Sequence, residues 1–148
     1  MLLEDDKVIR SIQHKLEIQQ VKMPKNYKKG ARIEMEVVKK FLENGWIAFR
    51  IAGSGRFHSL PDVIAIKDKK IYAFQCKSTK NNKIYLNDEY DKFLKFYQIT
   101  KAECFFAVKF EKKKTRFYKI SDVKDYISID TLYLTYKDIL NDTQNDIQ

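Results

Sequence analysis

Leu60-Pro61-Asp62-Val63-Ile64-Ala65-Ile66 and, after a short polar break, Ile71-Tyr72-Ala73-Phe74-Gln75-Cys76-Lys77 decide how this chain is read. Both apolar runs are short, rich in β-branched or aromatic residues and bounded by turn chemistry, so they read as strands, with Asp68-Lys69-Lys70 short enough for a hairpin. Pro61 confines its position to a strand start, which makes Asp62 the opening residue of the first strand. In the second strand Gln75 and Lys77 are two apart and share a face, while Cys76 points the other way. An acid at one strand start therefore lies beside an amide and a lysine on its neighbour.

Upstream, residues 29 to 44 place Ile33, Val37, Val38, Phe41 and Leu42 on one helical stripe, and Asn44-Gly45 supplies a stop that tolerates left-handed dihedrals. Trp46 to Ala52 reads as another strand. Downstream, Tyr90, Phe93, Leu94 and Tyr97 give a helix over residues 88 to 102 after Asn87 or Asp88 as cap. Cys104 to Phe110 and Thr115 to Ile120 read as two further strands, and a weak helix falls around Tyr136 to Leu140. At the other end Ile9, Ile12 and Leu16 predict a short amphipathic helix over residues 5 to 20, which Pro24 keeps from continuing. A sheet of this kind needs helices on its faces, so the expectation is a layered α/β domain. Its boundaries are a helical extension over 1–26, a main domain over 27–124, and an acidic tail over 125–148 that is part of the same domain or flexible.

The length of 148 residues fits one domain. With 44% hydrophobic and 33% charged residues the chain buries a core and keeps a charged surface. Low-complexity linkers and collagen-like repeats are excluded by 4 Gly and 2 Pro. No apolar run approaches the ~18 residues of a membrane helix, and Met1-Leu2-Leu3-Glu4-Asp5-Asp6 is acidic where a signal peptide is basic. The expected location is therefore intracellular. Cys76 and Cys104 are too few for a disulfide scaffold, and their spacing does not suggest zinc. The formal charge of +9 favours a polyanion, nucleic acid or an acidic membrane surface, and composition alone does not choose. Six Asp against two Lys after residue 120 leave +13 on residues 1 to 120, mostly in the runs Lys22 to Lys29, Lys77 to Lys83 and Lys109 to Arg116.

Glu34 lies four residues before Val38 and seven before Phe41, at the edge of the stripe that its helix presents to the sheet. Singly, an Asp at a strand start is commonly a turn former, a Glu at a helix edge is commonly solvated and a strand Lys can snorkel. Together, two carboxylates, an amide oxygen and an ammonium at one cleft are what metal-assisted phosphodiester hydrolysis needs: hard oxygen ligands for Mg²⁺ and a cation to orient water. The aromatics Phe49, Phe57, Tyr72, Phe74, Tyr85, Phe96 and Tyr97 exceed what one small core needs, which leaves some for a subunit interface or for a larger core.

Pro61-Asp62 followed by Gln75-Cys76-Lys77 resembles the PD-(D/E)XK nuclease signature, and Lys29-Gly30-Ala31-Arg32-Ile33-Glu34 resembles the helix that carries that superfamily's additional glutamate. Within it the chain is similar to the archaeal Holliday junction resolvase family, found also in archaeal viruses, from about Lys28 to Val123. The similar blocks include Gly45-Trp46-Ile47-Ala48-Phe49-Arg50, Ala52-Gly53-Ser54-Gly55, Lys83-Ile84-Tyr85 and Phe105-Phe106-Ala107-Val108-Lys109. The resemblance implies a restriction-endonuclease-like fold: a central mixed five-stranded sheet flanked by helices in the order α-β-β-β-α-β-β, here with an extra N-terminal helix. It implies a homodimer that uses Mg²⁺, with Mn²⁺ able to substitute, and makes paired nicks in four-way DNA junctions in the cytoplasm of an archaeal cell or a virus-infected one, associated with the nucleoid. By position, Glu34, Asp62 and Gln75 hold the metal and Lys77 stands beside the attacking water. The DNA contacts expected are Lys29, Arg32, Arg50, Lys80 and Lys83, with Ser54, Arg56 and His58 in the loop between the first strands; His58 is carried as a phosphate contact, not as a base.

The chain departs from the family pattern in three places. Gln75 stands where the family has Glu, which removes one negative charge from the site; Met35 stands where an Arg often follows the helix glutamate; and residues 1 to 26 precede the similar region. Two alternatives therefore stay open, a junction-binding protein with weak or no activity and an endonuclease acting on other DNA.

Overall fold

A computed structural model describes residues 7–11, 29–51 and 60–145. Of the helix expected over residues 5 to 20, residues 7–11 are helical and the remainder lies outside the described residues. Lys29–Glu43 forms helix α1, whose Ile33, Val37, Val38, Phe41 and Leu42 are buried as the stripe requires. It ends where the Gly45 φ of 85° opens a left-handed turn and the Asn44 amide donates to the Lys40 carbonyl at 2.7 Å. Trp46 then turns wholly into the core, so strand β1 is Ile47–Arg50, shorter than the apolar run suggested.

Strands β2 (Val63–Lys67) and β3 (Lys70–Thr79) pair antiparallel through the Asp68-Lys69 turn, where both residues have positive φ. β4 (Lys83–Tyr85) and helix α2 (Asp88–Thr100) follow, with Asn87 at the N-cap making no side-chain cap hydrogen bond. β5 (Glu103–Phe110), β6 (Arg116–Lys119), a turn of 3-10 helix over Ile120–Asp122, β7 (Tyr126–Ser128) and helix α3 (Tyr136–Asn145) complete the order. The main sheet runs β1-β2-β3-β5-β6 and is mixed, its one parallel pair being β3 with β5. The expected five strands and flanking helices are present. β4 and β7 form a second, two-stranded antiparallel sheet that the sequence reading did not foresee.

Alternation sorts the core onto two faces. Phe74, Val63, Ala65, Phe105, Ala107 and Phe117 pack under α1 with Trp46, and Ile139 of α3 joins them. Ile64, Ala73, Phe106, Val108 and Phe110 pack on the other face with Phe93 of α2, Leu86 and Ile127. With both faces covered, central strands read as unbroken apolar runs, which is what the sequence shows from Ile71 to Phe74 and Cys104 to Val108. The tail is tied in: Phe117 and Leu134 exchange backbone hydrogen bonds at 2.8 Å, and Ile127 and Ile139 are buried. Tyr72 and Phe74 are core residues, whereas Tyr85 is 62% exposed.

Candidate active site

β3 outruns β2. Its register with β2 begins at Val63 opposite Phe74, yet β3 continues to Thr79 because β5 supports it as far as Phe110. Beyond Phe74, the edge that faced β2 has lost its partner strand. Asp62 stands at this point: its backbone N–H donates to the Phe74 carbonyl and its carbonyl accepts from Ile51 N–H, both at 2.9 Å. Its carboxylate Oδ2 accepts the Cys76 N–H at 2.9 Å, taking the place of a strand carbonyl. Pro61 before it, which has no N–H to pair, fits the end of the ladder. The Asp62 carboxylate is thus held at the sheet end by backbone.

Glu34 reaches the same point from α1. Its Oε2 accepts from Arg50 Nη2 at 3.2 Å, with the two side chains only 14% and 18% exposed. Burial and, secondly, the Asp62 charge raise the Glu34 carboxyl to about 7, against the opposing pull of Arg50. The Cys76 thiol is pushed well up by burial, with Asp62, Glu34 and Glu36 adding to the effect, so it stays protonated. These responses show that Glu34, Arg50, Asp62 and Cys76 share one neighbourhood.

Continuing the strand register by one residue sets Gln75 opposite Asp62. Its Oε1 is buried and has no hydrogen-bond partner among the described residues. Lys77 shares the face of Gln75, as alternation requires, but its ammonium is ion-paired with Glu89 in the first turn of α2. Cys76 packs on the opposite, α1-facing core. Arg32, Lys80 and Lys83 are exposed, and Lys83 lies over the rings of Tyr126 and Tyr85, 4.4 and 5.7 Å from their centroids. Ser54, Arg56 and His58 lie outside the described residues, as does the side chain of Lys29.

The family model for archaeal Holliday junction resolvase (Hjc) matches residues 25–135. This chain belongs to that family. Among curated Hjc proteins it is similar to the crossover junction endodeoxyribonuclease of Archaeoglobus fulgidus, 32% identical over 94 residues that make up 62% of this chain and 69% of the relative. With the enzyme of the same name from Sulfolobus acidocaldarius it is 35% identical over 91 residues, 59% of this chain and 64% of that one, slightly under two thirds of the relative's length. The solved structure of Archaeoglobus fulgidus Hjc, described as a Holliday junction resolvase from an archaeal hyperthermophile, superposes with a TM-score of 0.67 at 24% identity. It covers 77% of this chain and 97% of that one, and carries the same fold.

Against the Hjc pattern, the helix glutamate and the PD aspartate come together at the sheet end, with Arg50 beside them. Glu89 is the residue that the sequence reading missed. Together with Asp88 and Asp91 it reads as helix-dipole chemistry in a first turn, and only packing directs it to Lys77. Nucleases of the Hjc family are generally dependent on a divalent metal. The donors here suit a hard cation: two carboxylates, and an amide oxygen buried with no partner among the described residues. Among the described residues no three His, Cys, Asp or Glu side chains gather to hold a metal.

Proposed function

We propose that this chain resolves four-way DNA junctions by metal-dependent hydrolysis, as a homodimer placing one nick in each of two opposed strands. It is an endonuclease of the Hjc family. The observation that carries the mechanism is the Asp62 carboxylate, fixed on the Cys76 N–H beside the Glu34–Arg50 pair and across from the unpartnered Gln75 oxygen. Glu34, Asp62 and Gln75 would hold Mg²⁺, with Mn²⁺ a substitute. When bound, the cation supplies Lewis acidity toward the phosphate and lowers the pKa of water.

The chain's own residues do the rest. Arg50 neutralises Glu34 in the free protein and turns to the scissile phosphate in the complex, a bidentate donor suited to that group. Lys77, held by Glu89, tempers phosphate charge and orients the attacking water. Two equivalent sites follow from two-fold symmetry without further sequence. Lys29, Arg32, Lys80 and Lys83, with Ser54, Arg56 and His58, are proposed to grip the backbone and fix register. No helix among the described residues is long and apolar enough to cross a membrane, and we place the action in the cytoplasm, on nucleoid or viral DNA.

The test is cleavage of a four-way junction and of linear duplexes of the same sequence, with Mg²⁺, Mn²⁺ or chelator. Paired nicks confined to the junction and lost in chelator are expected. Binding without cutting at any metal concentration overturns the enzymatic reading, and equal cutting of linear duplex overturns the junction specificity. One observation favours a second reading, a junction-binding protein of little activity: Gln75 is neutral, so the proposed ligand set has only two carboxylates, Glu34 and Asp62. Gln75→Glu separates the two, because a rate gain shows a site that lacks only charge.

A further inference from the structure

Between α1, the turn joining β5 to β6, and α3 lies a groove of about 1070 Å³ that the site above does not use. Seven cationic side chains line it against two acids. Both acids have partners: Glu43 is 4.0 Å from Lys39, and Glu36 accepts hydrogen bonds from Thr115 and from the Tyr136 hydroxyl, which leaves the lining with a positive surplus. The Arg116 guanidinium is also committed, donating to the Ile129 carbonyl at 2.8 Å and lying 4.2 Å from the Tyr133 ring centroid. Of the rest, Lys113, Lys114 and Lys137 are exposed and Lys109 is half-buried, none in an ion pair among the described residues, and the exposed Lys40 lies 5.8 Å from the Tyr136 ring centroid.

The wall that α3 contributes is fixed in place. Ile139 is buried, its carbonyl accepts from the Tyr72 hydroxyl at 3.4 Å, and Tyr136 packs on Phe117 with ring centroids 4.8 Å apart. α3 begins at residue 136, immediately after the stretch that the family model matches. The groove is not isolated from the site. Tyr136, which lines the groove, packs against the same core cluster as Cys76 of β3.

We infer that this groove is a second DNA site, which holds the sugar-phosphate backbone of a duplex arm flanking the cut. The inference rests on the junction-endonuclease reading and adds where an uncut arm lies. Concavity separates a rod-like polyanion from a membrane, whose flat surface suits a flat basic face. Lysines on long flexible stems, without buried converging donors, suit repeated phosphates better than one small anion. Contacts of this kind position a duplex without reading its sequence.

The test is binding of the full chain to a four-way junction in chelator, across salt from 50 to 200 mM, with two triple variants that remove equal charge. One is Lys113→Gln/Lys114→Gln/Lys137→Gln in the groove; the control is Lys92→Gln/Lys95→Gln/Lys124→Gln, all exposed and outside it. The groove variant is expected to weaken low-salt binding about 10- to 100-fold and to flatten the slope of log affinity against log salt by about 2 to 3, near 0.9 per phosphate contact. The control should change affinity by less than about 3-fold. Equal losses in the two variants, or an unchanged slope in the groove variant, overturn the inference. Tighter binding of poly-glutamate than of duplex, abolished in the groove variant, also overturns it and points to an acidic protein. Chelator keeps the outcomes apart: a wild-type chain that binds with the full slope but never cuts with metal overturns the catalytic reading and leaves the groove standing.

Discussion

The two faces of the sheet end meet at the motif and are built differently. On the α1 side, Glu34 and Arg50 hold one another, and the Asp62 carboxylate, held by the backbone at the end of β2, shares a desolvated corner with Glu34. On the α2 side, Gln75 presents a buried oxygen without a partner among the described residues, and Lys77 is drawn to a carboxylate from outside the motif. The lesson is that one side of this site has surplus negative charge and the other presents a neutral amide. With an amide at position 75, Lys77 takes its counter-charge from Glu89.

The comparison breaks most visibly by removing the central charges. Asp62→Asn or Lys77→Ala should lower junction cleavage by about 10²- to 10³-fold, the scale of losing one preorganised charge contact, with junction binding in chelator unchanged. Quenched-flow or gel assays beside a chelator binding titration check this. Restoring charge on the depleted side sharpens it: Gln75→Glu should tighten the metal by about 10-fold, read as a lower half-saturating Mg²⁺ concentration, since a carboxylate outbids an amide for a hard cation.

On the surplus side the expected effect is one of pH. The Glu34 carboxyl sits at about 7 in the folded chain against an ordinary 4.5, so folding takes up a proton between those values. Stability of the metal-free protein is then greatest below 4.5 as far as this group is concerned, and falls as pH rises through about 7. Urea unfolding at pH 5 and pH 8 should differ by about 1 kcal/mol from this group, less than the full shift implies because solvent screens part of it, and Glu34→Gln should remove that difference. The smallest effect is expected at Glu89→Gln, which frees Lys77 without moving the carboxylates. A fall of about 3-fold in cleavage rate, with metal affinity unchanged, is the predicted signature.

Much of this was legible beforehand because it is local. The apolar stripe of α1 and its glycine stop, the β2–β3 hairpin, and the alternation that parts Gln75 and Lys77 from Cys76 each depend on residues a few positions apart. The junction of Glu34 with Asp62 followed from a helix edge meeting a strand start. β4 and β7 escaped because each has three residues and a single inward side chain, Ile84 or Ile127, too little for a period to register. Each exists through pairing with the other, more than forty residues along the chain. The end of β3 escaped in the same way, since Ser78 and Thr79 are strand only because β5 lies alongside.

The helices and the five strands of the main sheet, and the paired faces of its central strands, were determined by the sequence alone, since each follows from periodicity and backbone chemistry within one segment. Only the tertiary structure decided which carboxylate holds Lys77, that the Asp62 carboxylate caps an unpaired N–H of β3, and that Tyr136 meets Glu36 across 100 residues. Such contacts set where charges are shared. They depend on the distance between side chains after the sheet has closed, which no spacing along the chain records.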